Sequence, residues 1–201
     1  MIRNYIFDLV GVIGDFGTKQ TFRHFIDLGA MDVWELNNQM DLGYLSGEDF
    51  LVQVQERCAK AAEKRGETPL SVEQLRAEYE APMTLPVEHL QWLCELRKKY
   101  RVFLLSNVGD MHWHHLVRSA ESLGYKLEDC FDAVFPSFQT HVNKPDAKAY
   151  LNVLETMNLV PEETIFFDDA PANVAAACAL GIHGRLVTTS FPNPGIFRIE
   201  K

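Results

Sequence analysis

A chain of 201 residues, 47% of them hydrophobic, can bury a core of its own and suits one domain, or one domain carrying an inserted subdomain. The net charge of −9, with 19 basic residues that form no long run, argues against a nucleic-acid backbone or an anionic membrane surface as partner. No apolar stretch approaches the roughly 20 residues a bilayer requires, and the opening MIRNYIFDLV lacks the features of a signal peptide, so the expected location is the cytoplasm.

The first apolar run, YIFDLV at residues 5–10, reads as a strand buried on both faces, broken by a single carboxylate, Asp8. Burying an ionised group can cost several kcal/mol unless it is paired or bound to a metal, so packing alone explains Asp8 poorly. Residues 18–83 then hold no strand-like run. They read as amphipathic helices over TKQTFRHFIDLG, DVWELNNQM, SGEDFLVQVQERCAKAAEKRG and SVEQLRAEYE. A structureless loop of that length is improbable in a compact domain, so the segment is expected to be a helical subdomain. Its aromatic residues Phe22, Phe25, Trp34 and Phe50 are expected to form its own core, a few of them facing a substrate.

Beyond it, helical patterns at 87–100, 112–124, 146–158 and 172–181 alternate with short apolar runs at 102–106, 133–137, 164–169 and 184–187. That alternation predicts a doubly wound α/β fold, a parallel sheet with helices on both sides. The expected division is a core of residues 1–17 and 84–201 with an insertion at 18–83. His112–His115, HWHH, reads as imidazoles contacting the surface or the insertion rather than a metal site. Cys58, Cys94, Cys130 and Cys178 are widely spaced with no C-x-x-C pair, as for reduced, mostly buried thiols. The tail FPNPGIFRIEK reads as a surface extension.

Ligands of an open parallel sheet bind outside the C-terminal ends of its strands. At those ends stand Asp8, Ser106 with Asn107, and the pair Asp168 and Asp169, while Lys144 opens the helix before the last of them. A carboxylate, hydroxyl and amide donors, an ammonium and an acidic pair together suit a phosphate bound with a divalent metal. A helix start disfavours a cation, which argues mildly for an anion beside Lys144.

FDLVGV, LLSN, NKPDAKAY and FFDDAPAN, in that order, resemble the four motifs of the haloacid dehalogenase superfamily, and the insertion resembles that family's helical C1 cap. The likeness extends to sugar phosphatases and to the phosphatase-like domain at the N-terminus of epoxide hydrolases; DLGYLSGEDF in the insertion resembles a turn-helix segment of the sugar-phosphatase-like members. The resemblance implies a Mg²⁺-dependent phosphatase acting on a small phosphorylated metabolite such as a sugar phosphate. Asp8 would be the nucleophile and form an aspartyl-phosphate. Mg²⁺ would be held by Asp8, the main-chain carbonyl of Val10, and Asp169, with Asp168 in or behind that set. Ser106, the backbone N–H groups around Asn107, and Lys144 would bind the phosphate, and Asn173 would brace the acidic loop.

One position departs from the family pattern. Phosphatases of this type usually place a second aspartate, the general acid and base, where this chain has Val10. Asp15, His24, Asp41 or a metal-bound water are the candidates to replace it. The same departure leaves two alternatives open: a metal-independent 2-haloacid dehalogenase, and a protein that binds phosphate and metal with impaired turnover.

Overall fold

The computed structural model describes residues 1–16 and 18–188, with the side chains of Asp15, Phe16 and Thr18 outside that description. The tail at 191–201, expected to be a surface extension, also lies outside the described residues. Five parallel strands form the main sheet: β1 (Asn4–Phe7), β4 (Arg101–Ser106), β5 (Ala133–Pro136), β6 (Thr164–Asp168) and β7 (His183–Leu186). Their order is β5-β4-β1-β6-β7. Strand β1 is therefore central, and the chain leaves it toward β4 on one side and returns to β6 on the other. That reversal is the topological switch at which open α/β sheets bind ligands.

Side chains alternate across a strand, and here both faces are buried. Tyr5 and Phe7 join Val102, Leu104, Ile165 and Phe167 under helices α5 (Val87–Arg97) and α6 (Asp110–Ser122). Ile6, Phe103 and Phe166 face the other way, under α8 (Ala147–Thr156) and α9 (Pro171–Ala179). The sequence pattern extends the first strand to residue 10, but pairing stops at Phe7. Leu9 is fully buried without being in a strand, and its carbonyl accepts the N–H groups of Ile13 and Gly14, closing a tight loop at 2.9 and 2.8 Å.

Four helices follow, α1 (Thr18–Leu28), α2 (Val33–Asp41), α3 (Gly47–Arg65) and α4 (Val72–Glu80). Local signals bound them: Ser46 caps α3 by accepting the Asp49 N–H, Gly66 ends that helix in the left-handed region, and Ser71 with Gln74 forms a capping box on α4. Phe25, Leu36, Met40, Phe50, Val54 and Leu75 are buried in a core of their own, which Met111 of α6 enters from below. A two-residue hairpin, β2 (Asp15–Phe16) against β3 (Met83–Thr84), ties the two ends of this helical segment together. The short helix α7 (Ser137–Thr140) completes the elements used below.

Two expectations need correction. Trp34 is not part of the helical core; it is 51% exposed, with its ring edge-on to Phe22 at 4.4 Å. Among the cysteines, which are all free, Cys178 is exposed rather than buried. No helix among the described residues is long and apolar enough to cross a membrane.

Candidate active site

Asp8 lies one residue past the end of β1, with only 6% of its surface exposed. One carboxylate oxygen accepts the Leu9 N–H at 2.7 Å and faces the Lys144 ammonium at 2.8 Å. Lys144, more buried still, reaches the second carboxylate, Asp168, at 2.7 Å. A lysine in a buried position thus bridges the ends of β1 and β6. Asn107 fixes its backbone: the Asn107 amide donates to the Lys144 carbonyl and accepts the Lys144 N–H, both at 2.8 Å. The Asn107 side chain is therefore committed to positioning Lys144, apart from the backbone N–H groups around it that were expected at the phosphate.

Asp168 is fully buried and saturated. It accepts Lys144, the Ala170 N–H at 2.8 Å, and the Asn173 amide at 3.0 Å on both oxygens. Tyr150 in turn donates to the Asn173 carbonyl at 2.9 Å, so Asn173 braces the acidic loop. Asp169, next to it, is exposed and lines the cleft. Carboxylate oxygens of Asp8, Asp168 and Asp169 lie within 4.8 Å of one another. Burial pushes the Asp8 carboxyl above its usual range, with Lys144 pulling it down and Asp168 pushing it up. Asp169 is raised by burial and by Asp168.

This donor set fits a hard divalent cation. It consists only of oxygens, two of its three carboxylates share the buried Lys144 ammonium, and the third, Asp169, opens toward the cleft. Gly11 makes the approach possible. Its φ is +76°, and a Cβ at that position would lie 2.5 Å from Asp169 Oδ2. At the end of β4, Ser106 is 1% exposed and its hydroxyl has no hydrogen-bond partner among the described residues. An orphaned buried hydroxyl is costly, and a phosphate oxygen would satisfy it.

The cleft itself has a volume of about 220 Å³. Asp8, Val10, Asn107 and Asp169 line its floor; Phe22, Trp34, Asn37, Asp41 and His112 line the wall above. Of the candidates to replace a carboxylate at position 10, only Asp41 is found in that lining. His24 pairs with Glu78 at 3.1 Å on the flank of α1 and α4, and the Asp15 side chain is not described. The imidazoles of HWHH go to packing, as expected: His112 stacks on Tyr79 at 4.0 Å, and His115 meets Glu80 at 3.2 Å.

Asp41 carries a stability cost. Burial pushes its carboxyl up to about 7, against the pull of Asn37 and the Gly109 N–H. In the unfolded chain the same group ionises near pH 3.9, so between about pH 4 and 7 the folded state keeps a proton that the unfolded state has lost, and stability falls as pH rises through that window. Asp41→Asn should therefore stabilise the fold by about 1–3 kcal/mol near pH 8 and by little near pH 4; urea unfolding at both values checks it.

A haloacid dehalogenase-like hydrolase family model matches residues 2–181. The D-ribitol-5-phosphate phosphatase of Bacteroides thetaiotaomicron is 27% identical over 193 residues, covering 90% of this chain and 89% of that protein. A haloacid dehalogenase family enzyme from the same organism, solved with magnesium and inorganic phosphate, superimposes with a TM-score of 0.80 at 26% identity over 98% of this chain and all of that one. A haloacid dehalogenase-like hydrolase from Porphyromonas gingivalis gives 0.73 at 30% identity over 92% of this chain and 91% of that chain.

Proposed function

The chain belongs to the haloacid dehalogenase-like hydrolase family, and from that membership we propose that it is a Mg²⁺-dependent phosphatase of small phosphomonoesters, sugar or polyol phosphates among them. The observation that carries this reading is the Asp8–Lys144–Asp168 array beside an open Asp169 and an orphaned Ser106 hydroxyl. The magnesium and phosphate found in a relative of matching fold, and a relative named for a polyol phosphate, support it. Residues 18–83 we read as a cap over the site and 1–17 with 84–201 as the catalytic core, located in the cytoplasm.

In this reading Asp8 attacks phosphorus. The bond to the leaving oxygen breaks, its electron pair stays with the departing alkoxide, and an aspartyl-phosphate remains until water displaces Asp8. Lys144 keeps the Asp8 carboxylate ionised and aimed, and with the Ser106 hydroxyl and nearby backbone N–H groups it binds the non-bridging oxygens. Asp8, the Val10 carbonyl and Asp169 would hold magnesium, with Asp168, already saturated, supporting them from behind. Bound magnesium supplies charge neutralisation between the carboxylates and the phosphoryl oxygens. Val10 offers no proton to the leaving alkoxide, so esters with basic leaving groups should turn over about 10²–10⁴-fold more slowly than with a positioned acid.

Phosphate release from a panel of monoesters, with Mg²⁺ or a chelator, tests the reading. Metal-dependent release is expected; none from any ester would refute it. Chloride release from a 2-haloacid in chelator would instead support dehalogenation, a reaction that the acidic pair beside Asp8 disfavours by repelling the substrate's carboxylate. Gly11→Ala supplies a further check. The added methyl displaces Asp169, so half-saturation by Mg²⁺ should need roughly 10–100 times more metal, read by titrating activity.

A further inference from the structure

The cap wall carries a hydrogen-bonded chain that the chemistry at phosphorus does not use. Tyr79 of α4, fully buried, donates its hydroxyl to Asn37 Oδ1 at 2.6 Å, and Asn37 Nδ2 donates to Asp41 Oδ2 at 2.8 Å. The Tyr79 oxygen also faces His112 Nδ1 at 3.3 Å. Asn37 is thereby held in one orientation, its NH₂ toward Asp41. From the core side, the Gly109 N–H, at the start of α6, donates to the same carboxylate. That contact depends on a glycine: a Cβ at 109 would lie 2.8 Å from Met40 in α2. Both elements thus aim one carboxylate into the cleft that Asp8 and Asp169 line from below.

A carboxylate is a poor choice if the wall only has to pack. Asn would fill the same volume and keep an oxygen for the Asn37 amide without the penalty of desolvating a charge. The cleft is already rich in negative charge, so a third carboxylate repels any anionic group beside it and attracts hydroxyl donors. The neighbouring wall is aromatic, with Trp34 edge-on to Phe22, and suits the C–H face of a polyhydroxylated chain or ring.

Resting on the phosphatase reading above, we propose that Asp41, positioned by Asn37 and Gly109, is the specificity residue of this site. It accepts a hydrogen bond from a hydroxyl of an uncharged polyol or sugar monophosphate, and it turns away monoesters whose organic part carries a second phosphate or a carboxylate. The preference comes from attraction and repulsion together, which is how naturally specific sites discriminate.

The test compares kcat/KM for three classes of ester in mildly alkaline buffer: polyol monophosphates, the corresponding bisphosphates, and phosphorylated hydroxy acids. Native chain, Asp41→Asn and Asp41→Ala are each measured, with p-nitrophenyl phosphate as a generic ester. Native protein is expected to favour the uncharged polyol esters. Asp41→Ala should lower kcat/KM for them by about 10–100-fold, as loss of a hydrogen bond to a charged group does, and both variants should narrow the ratio against the anionic esters by at least about tenfold. Because Asp41→Asn keeps the shape and the Asn37 contact, a folding defect cannot mimic that change of ratio. An unchanged ratio in both variants overturns the inference while leaving the phosphatase reading in place. A loss that tracks leaving-group basicity, equal for uncharged and anionic esters, overturns it by making Asp41 a proton donor. Absence of phosphate release from every ester, p-nitrophenyl phosphate included, overturns both.

Discussion

Asp8→Asn is expected to abolish phosphate release, by at least about 10⁴-fold, while leaving a folded chain. The amide keeps the shape of the side chain and the strand-end loop, but it is no longer a nucleophile. Lys144 retains Asp168 as an ionic partner, so the buried ammonium is not stranded. Burial already raises the Asp8 carboxyl; replacing it with an uncharged amide removes part of that cost, and thermal unfolding without added metal should shift little. A variant that turned over near the native rate would place the nucleophile elsewhere. A variant that failed to fold would instead give Asp8 a structural role that its exposed neighbour Asp169 cannot supply.

Lys144→Met should have the largest effect on stability. The side chain is 1% exposed and pairs with two carboxylates at 2.8 and 2.7 Å. Methionine fills the volume and leaves both acids without their cation. Removing one partner of a buried ion pair costs about 3–5 kcal/mol, and urea unfolding should show a loss of that order. Phosphate release should fall by at least about 10²-fold, since in the proposed mechanism the group that pairs with Asp8 also binds the phosphoryl oxygens. Saturating Mg²⁺ should recover part of the stability, because it restores positive charge to the same carboxylates. A variant as stable as the native chain would contradict the assignment of Lys144 as their counter-ion.

Most of the architecture was legible because its signals are local. The four helices between residues 18 and 80 are amphipathic and closed by residues such as Ser46, Gly66 and Ser71, and the sheet strands are short apolar runs separated by helices. The positions of Asp8, Ser106 and Asp168 followed from one rule, that strand ends of a parallel sheet converge, while Lys144 was legible from the start of the helix before β6. What escaped was non-local. Leu9 and Val10 look like strand but close a loop, because Gly11 at φ +76° turns the chain against Asp169. The β2–β3 hairpin has two residues per strand, too few for any periodicity to register. Asn37, Tyr79 and His112 meet from three helices, and nothing in their separate neighbourhoods announces a shared hydrogen-bonded chain. Trp34 reads as core in a helical pattern, and only the packing of α1 against α2 shows it turned toward the cleft.

The covalent role of Asp8 is tested most directly by the stereochemistry at phosphorus. A monoester made chiral through its oxygen isotopes is turned over with Mg²⁺ and an acceptor alcohol present, and the configuration of the phosphoryl group transferred to the alcohol in place of water is read. Attack by Asp8 followed by attack of the alcohol inverts phosphorus twice, so net retention is expected. Net inversion would mean a single direct displacement, with Asp8 serving only to bind the metal and orient Lys144.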